Sequence, residues 1–222
     1  MLGLGRQFAQ SLFGRGPAPV LLLVCGAAAL GLPAAIRAEE PLEVVRRHVA
    51  EGLAVLRAEN GPAEAAGREL KRRRLAAQLA RAFDFEEFSR LALGAGWARF
   101  DPAERREFVE LFARFLSEYY LGELLQRYAG ETVVLLRQRA VAPQRAVVEL
   151  EVLWRRRRVP VEVRMLDRGG GWKAYDVALL GVSAVMLYRA QLQAILARHS
   201  PAETIAILRR RLAEAEDGGR GG

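Results

Sequence analysis

The chain has 222 residues, half of them apolar, with 34 basic against 26 acidic side chains, two histidines and one cysteine. One cysteine excludes an internal disulfide framework, and two histidines leave little material for a histidine-rich metal centre. The length suits one globular domain, and the formal net charge of +8 admits nucleic acid or an anionic membrane as partner without selecting either.

At the amino end, Arg6 and Arg15 precede an uncharged apolar run from Val20 to Leu32, followed by Ala34-Ala35-Ile36-Arg37-Ala38 and then Glu39-Glu40. Basic start, apolar middle and small-residue end make a secretory signal peptide over residues 1–38. The run is short of the roughly 20 apolar residues that cross a bilayer. Cys25 lies inside it, so the mature chain carries no thiol. Val24, where a lipidated cysteine needs a small residue, argues against a lipoprotein. Three arginines leave with the leader, and the mature protein is only mildly basic. Lys71 and Lys173 are its only lysines, so the arginine excess reads as a GC-rich genome more than as recognition chemistry. The clusters at 71–74, 155–158 and 209–211 are scattered over separate elements, which is no phosphate-tracking surface unless they converge. No nucleic-acid partner is expected.

From Pro41, Leu42, Val45, Val49, Leu53 and Leu56 recur at helical spacing, and Asn60-Gly61-Pro62 stops that helix. A more polar helix is expected from about Ala63 to Ala82, then short helices around a break at Gly94 and Gly96. Asp101-Pro102-Ala103-Glu104 is a capping box that starts a helix whose Phe108, Phe112, Phe115 and Tyr119 form one aromatic stripe. After Gly130 the period changes to two. Strands are expected at 131–141, 145–154, 158–166 and 172–180, with turns at Ala142-Pro143, Arg156-Arg157 and Gly169-Gly170-Gly171. Ala146, Val148, Leu150, Val152 and Trp154 face one way, Glu149 and Glu151 the other. Two helices follow, one from about Ser183 to His199 and one opened by the capping box Ser200-Pro201-Ala202-Glu203. Residues 39–216 thus form a single α+β domain, a helical shell on a four-stranded, mainly antiparallel sheet. Residues 217–222 form a Gly-rich, disordered tail.

Signals for catalysis are weak. A nucleophile turn needs Gly-x-Ser-x-Gly, but after Gly181-Val182-Ser183 the second glycine position holds Val185. Ser183 reads instead as a helix N-cap. His48 and His199 lack neighbouring ligands, and neither lysine sits in a nucleotide-binding loop; no cofactor or metal is expected. A carboxylate pair such as Asp84 with Asp176 stays open. The apolar inventory, from Phe83, Phe85, Phe88 and Trp97 to the aromatic stripe, is either a core or the lining of a cavity.

The segment "FDFEEFSRLALG" with Trp97, the helix ending near Tyr119-Tyr120, and above all "WKAYDVALLGVSAVMLYRAQL" resemble the MlaC, or toluene-tolerance, family over about Pro41 to Leu212. The specific residues are Trp172, Tyr175-Asp176-Val177, Gly181-Val182-Ser183 and Tyr188-Arg189 with Gln191. Leu187 and Leu192 depart from the Asn and Phe that many relatives carry. The resemblance implies a non-enzymatic, monomeric periplasmic carrier that encloses the acyl chains of a phospholipid. Its implied partners are an inner-membrane ABC transporter complex with a lipid-binding subunit and an outer-membrane lipoprotein-porin complex. Helix faces and strand parity then give a lipid-binding set of Phe85, Phe88, Leu91, Trp97, Phe112, Phe115, Tyr119, Val148, Leu150, Val152, Val161, Val163, Tyr175, Val177, Val185, Met186 and Tyr188. Gly181 is expected to turn the chain, Ser183 to cap the next helix, and Asp176 to pair with Arg189. Three other readings remain: a hopanoid cargo, an exported hydrolase using the apolar pocket, and a basic nucleic-acid or membrane-surface binder.

Overall fold

A computed structural model describes residues 39–58 and 64–220; the leader at 1–38, the stop signal at Asn60-Gly61-Pro62 and the last two residues of the tail lie outside them. The described residues form six helices and a five-stranded antiparallel sheet. Helix α1 spans Pro41–Arg57, α2 Glu64–Ala82, α3 Phe85–Leu93 and α4 Pro102–Arg127, with a 3-10 turn at Gly94–Arg99. Strands β1 Thr132–Ala142, β2 Arg145–Trp154, β3 Arg157–Asp167, β4 Trp172–Leu179 and β5 Val182–Ser183 follow in meander order, then helices α5 Ala184–Leu196 and α6 Pro201–Arg220. The two-residue β5 is the strand beyond the expected four. It is too short to show a period-two pattern of its own. Helix α6 also takes in 217–220, assigned from composition to the tail: once a helix is nucleated, each further residue adds a bond at small cost.

Local chemistry sets the boundaries. The Asp101 carboxylate accepts from the Ala103 and Glu104 amides at 2.7 and 2.8 Å, and Glu104 accepts from the Asp101 amide at 2.9 Å. Ser200 and Glu203 repeat the exchange at α6. Each arrangement satisfies amides that have no partner inside the helix.

Two apolar cores result. In the first, Val45, Leu53 and Leu56 of α1, Leu75 of α2 and Leu121 and Leu124 of α4 pack on Val148, Leu150, Val152, Val161 and Val177 of the sheet. In the second, away from the sheet, Phe88 and Leu93 of α3, Phe108 and Phe112 of α4, Val185, Leu192 and Leu196 of α5, and Ile205 and Leu208 of α6 pack together. Helix α4, about 39 Å long at ~1.5 Å per residue, serves both, with Phe108 to Leu116 in the helical core and Leu121 and Leu124 on the sheet. Phe83 packs against both cores.

Candidate functional site

The lipid-binding set divides between these cores. Val148, Leu150, Val152, Val161 and Val177 are buried in the sheet core, with Val163 packed against it. Phe88, Phe112 and Val185 are buried in the helical core, with Phe85, Leu91, Trp97, Phe115 and Tyr188 packed against it. Tyr119 stacks on Phe115 at 6.3 Å between centroids and meets Tyr120 edge-on at 5.3 Å.

Two placements correct the strand and helix parity. Pairing passes from Arg164↔Asp176 to Met165↔Ala174, leaving Tyr175 unpartnered in a bulge. Val177 therefore joins the sheet core while Tyr175 does not; its ring lies 4.9 Å from the Arg145 guanidinium. A bulge inserts one residue and reverses the alternation beyond it. Met186, expected against the pocket, is 55% exposed in the first turn of α5.

The corner around Ser183 is tied differently from the expected Asp176 and Arg189 pair. Asp176 is 1% exposed and accepts from Arg164 Nη1 at 2.9 Å, Ser183 Oγ at 2.6 Å and the Val185 amide at 3.0 Å. Arg189 instead donates twice to the Leu91 carbonyl, at 2.8 and 2.6 Å. That carbonyl belongs to the last turn of α3, where no intrahelical donor remains. Its mirror is Arg99, which donates to the Leu196 and His199 carbonyls at the end of α5. Ser183 Oγ, donating to Asp176, accepts from the Met186 amide at 3.1 Å. It is the N-cap the sequence indicates. A hydroxyl held between a carboxylate and a helix amide, with no histidine in its bonding set, is not arranged as a nucleophile.

Sequence reading missed a second anchored carboxylate. Glu87 is 3% exposed and is met by Arg90 through two bonds of 2.9 Å, by Arg145 at 2.8 Å and by Arg168 at 3.1 Å. Arg90, then Arg145, hold its carboxyl down at about 2 against burial, which acts the other way. Arg168 also reaches Asp84 at 3.0 Å, so Asp84, the α3 N-cap, takes part in this cluster and not in a pair with Asp176. No spacing in the chain announces three arginines drawn from α3, β2 and the turn after β3.

The helical core is rich in aromatic rings. Phe112 meets Tyr188 edge-on at 5.2 Å and Phe88 at 5.7 Å. Tyr120 and Tyr188 share a hydrogen bond of 3.2 Å between their hydroxyls, and burial pushes both phenols above their ordinary value. Between α4, α5 and α6 a cavity of about 20 Å³ is lined by Phe112, Phe115 and Tyr188 together with Gln191, Leu192, Ile195, Thr204, Ile207, Leu208 and Arg211. The α6 residues were outside the expected set, although Ile205, Leu208 and Leu212 already mark an apolar face of that helix at helical spacing. Among the described residues no group of three or more His, Cys, Asp or Glu is placed to hold a metal ion. No helix among them is long and apolar enough to cross a membrane.

Comparison with known proteins decides the family. The family model described as MlaC protein matches residues 48–210. The chain belongs to the MlaC family. Members are periplasmic lipid-binding carriers, not enzymes. No curated protein sequence matches the chain. Among solved structures, the fold is similar to that of a phospholipid-binding protein from Ralstonia solanacearum, determined in complex with a phospholipid. The two share 21% sequence identity and a TM-score of 0.69, over 80% of this chain and 99% of that one.

Proposed function

We propose that this MlaC-family chain is a periplasmic carrier of phospholipid, exported by its leader, holding acyl chains in its interior and leaving the head group outside. It shuttles lipid between an inner-membrane ABC transporter complex and an outer-membrane lipoprotein-porin complex, and so maintains outer-membrane lipid asymmetry. The observation that carries the reading is the whole-domain match to a family of lipid carriers, supported by the likeness in fold to a phospholipid-bound protein. The aromatic helical core agrees with it, because acyl chains gain nothing from polar partners.

Size adds a mechanical requirement. The cavity between α4, α5 and α6, about 20 Å³, has room for little more than a water molecule, so an acyl chain enters at that place only if those helices separate. The contacts there are mostly aromatic and aliphatic, with one hydrogen bond between the Tyr120 and Tyr188 hydroxyls, and such contacts part more cheaply than an extended hydrogen-bonded network. The arginine anchors at Glu87 and Asp176 keep α3 and the start of α5 on the sheet while that happens.

Energetics explain why docking to membrane complexes is needed. At about 0.8 kcal/mol per methylene, two chains of some thirty methylenes amount to about 24 kcal/mol relative to water, beyond the ceiling of about 18 to 21 kcal/mol for non-covalent binding. Cargo therefore passes between apolar compartments and not through water. Delipidated protein incubated with vesicles of fluorescent phospholipid tests the interior directly: stoichiometric label co-eluting with the protein is expected, and protein that never acquires label contradicts the reading.

A further inference from the structure

Three non-glycine residues among those described have positive φ: Arg155 at 44°, Arg156 at 65° and Leu180 at 51°. All three lie in turns at one end of the sheet. Trp154 pairs with Arg157, leaving Arg155-Arg156 as a two-residue hairpin turn. Leu179 pairs with Val182, leaving Leu180-Gly181 as another. Positive φ at both turn residues is the type I′ pattern, which Asn-Gly adopts with least strain. Here the strained positions hold two arginines and a leucine instead.

The side chains at this end are exposed and of two kinds. Arg155, Arg156, Arg157 and Arg158 are all exposed. Glu151 meets Arg158 at 2.8 Å, Glu131 lies at the same end beside the Thr132 partner of Leu153, and Arg155 lies over the Trp154 ring at 4.9 Å. Leu153, Leu180, Val182 and Met186 are 42, 60, 47 and 55% exposed. The Leu180 amide donates to the Pro160 carbonyl at 3.1 Å, so that turn sits beside β3 about 10 Å from Arg157, at ~3.3 Å per residue. Backbone strain kept for exposed apolar and basic side chains, where Asn-Gly would relieve it, points to a use for those side chains.

We infer that this end of the sheet is a docking tip for an anionic bilayer surface: Leu180, Val182 and Met186 enter the interfacial layer while Arg155, Arg156 and Arg157 meet lipid phosphates. Two turns of two residues each offer little of the ~800 Å² per partner that a stable protein interface buries. Shallow apolar insertion combined with positive charge is what an anionic membrane surface rewards. The site goes beyond carriage in the interior and stands whether or not the interior holds lipid.

Flotation of the mature protein with vesicles tests it, because a protein that has only taken lipid inside does not float. Binding to phosphatidylglycerol vesicles, released by high salt, is expected, with little to phosphatidylcholine vesicles. The double variant Arg155→Asn with Arg156→Gly installs the preferred turn sequence and so keeps or raises the melting temperature. At about five-fold per arginine, it loses about 25-fold in vesicle affinity. Leu180→Asn likewise keeps the turn and weakens binding. Equal binding to both vesicle types, no binding to either, or unchanged binding by these variants overturns the proposal; capture of an acidic protein without vesicle binding does so too.

Discussion

Asp176 and Glu87 show how a buried carboxylate can pin a helix to a sheet without serving chemistry. Each is nearly inaccessible and each is bonded to arginine, at 2.9 Å for Arg164 on Asp176 and 2.8 Å for Arg145 on Glu87. Removing one partner of such a group costs about 3 to 5 kcal/mol when fully buried; the arginines are partly exposed, so about 2 to 3 kcal/mol is expected for Asp176→Asn in chemical denaturation. A double-mutant cycle separates its real partner from the one expected from sequence. Asp176→Asn should couple to Arg164→Ala by more than about 0.5 kcal/mol and be additive with Arg189→Ala. Glu87 gives a pH signature. Its carboxyl is held at about 2 in the fold against an ordinary 4.5, so its stabilisation is full above about pH 4.5 and is lost as pH falls towards 2. The melting temperature of the wild type should fall over that range more steeply than that of Glu87→Gln; parallel acid limbs would contradict the assignment. Ser183 as a cap was legible because its partner lies three residues away. The partners of Asp176, Glu87 and Arg189 are distant in sequence, and with so many arginines no pattern singles one out.

At the level of elements, α3 and α5 are clamped at each other's carboxyl ends by Arg189 and Arg99, and Gly96 lets them close. A Cβ on Gly96 would run into Leu196 Cδ1. The backbone there is not in the left-handed region, so the cost of Gly96→Ala is one of packing. About 1 to 3 kcal/mol of destabilisation is expected, recovered in part when Leu196 is shortened to Val; a stabilised Gly96→Ala would refute that close approach. Apart from the two-residue β5 and the end of α6, element identity was legible: capping boxes at Asp101 and Ser200 mark helix starts, and β2 reads its apolar alternation from Ala146 to Val152. The bulge at Tyr175 was not, because nothing in Ala174-Tyr175-Asp176 distinguishes an extra residue from a regular one. That one residue moved Tyr175 out of the face where alternation put it.

Over the whole molecule, the expected lipid-binding residues divide between two apolar cores joined by α4 and Phe83. Hydrophobic periodicity identifies which residues turn inward, but not against which layer, so Val148 and Phe112 looked alike until the fold separated them. On the proposed reading, the small cavity of about 20 Å³ between α4, α5 and α6 makes separation of those helices part of carriage. Phe112→Ala should cost about 3 to 5 kcal/mol of stability in denaturant because it removes the ring shared by Phe88, Phe108, Phe115 and Tyr188. The central claim, that this chain carries lipid, is tested most directly by native mass spectrometry of the mature protein isolated from a bacterial periplasm, followed by extraction of what it holds. One phospholipid per protein is the expected result, whereas protein that is consistently free of lipid, and stays so after exposure to vesicles, would contradict the account.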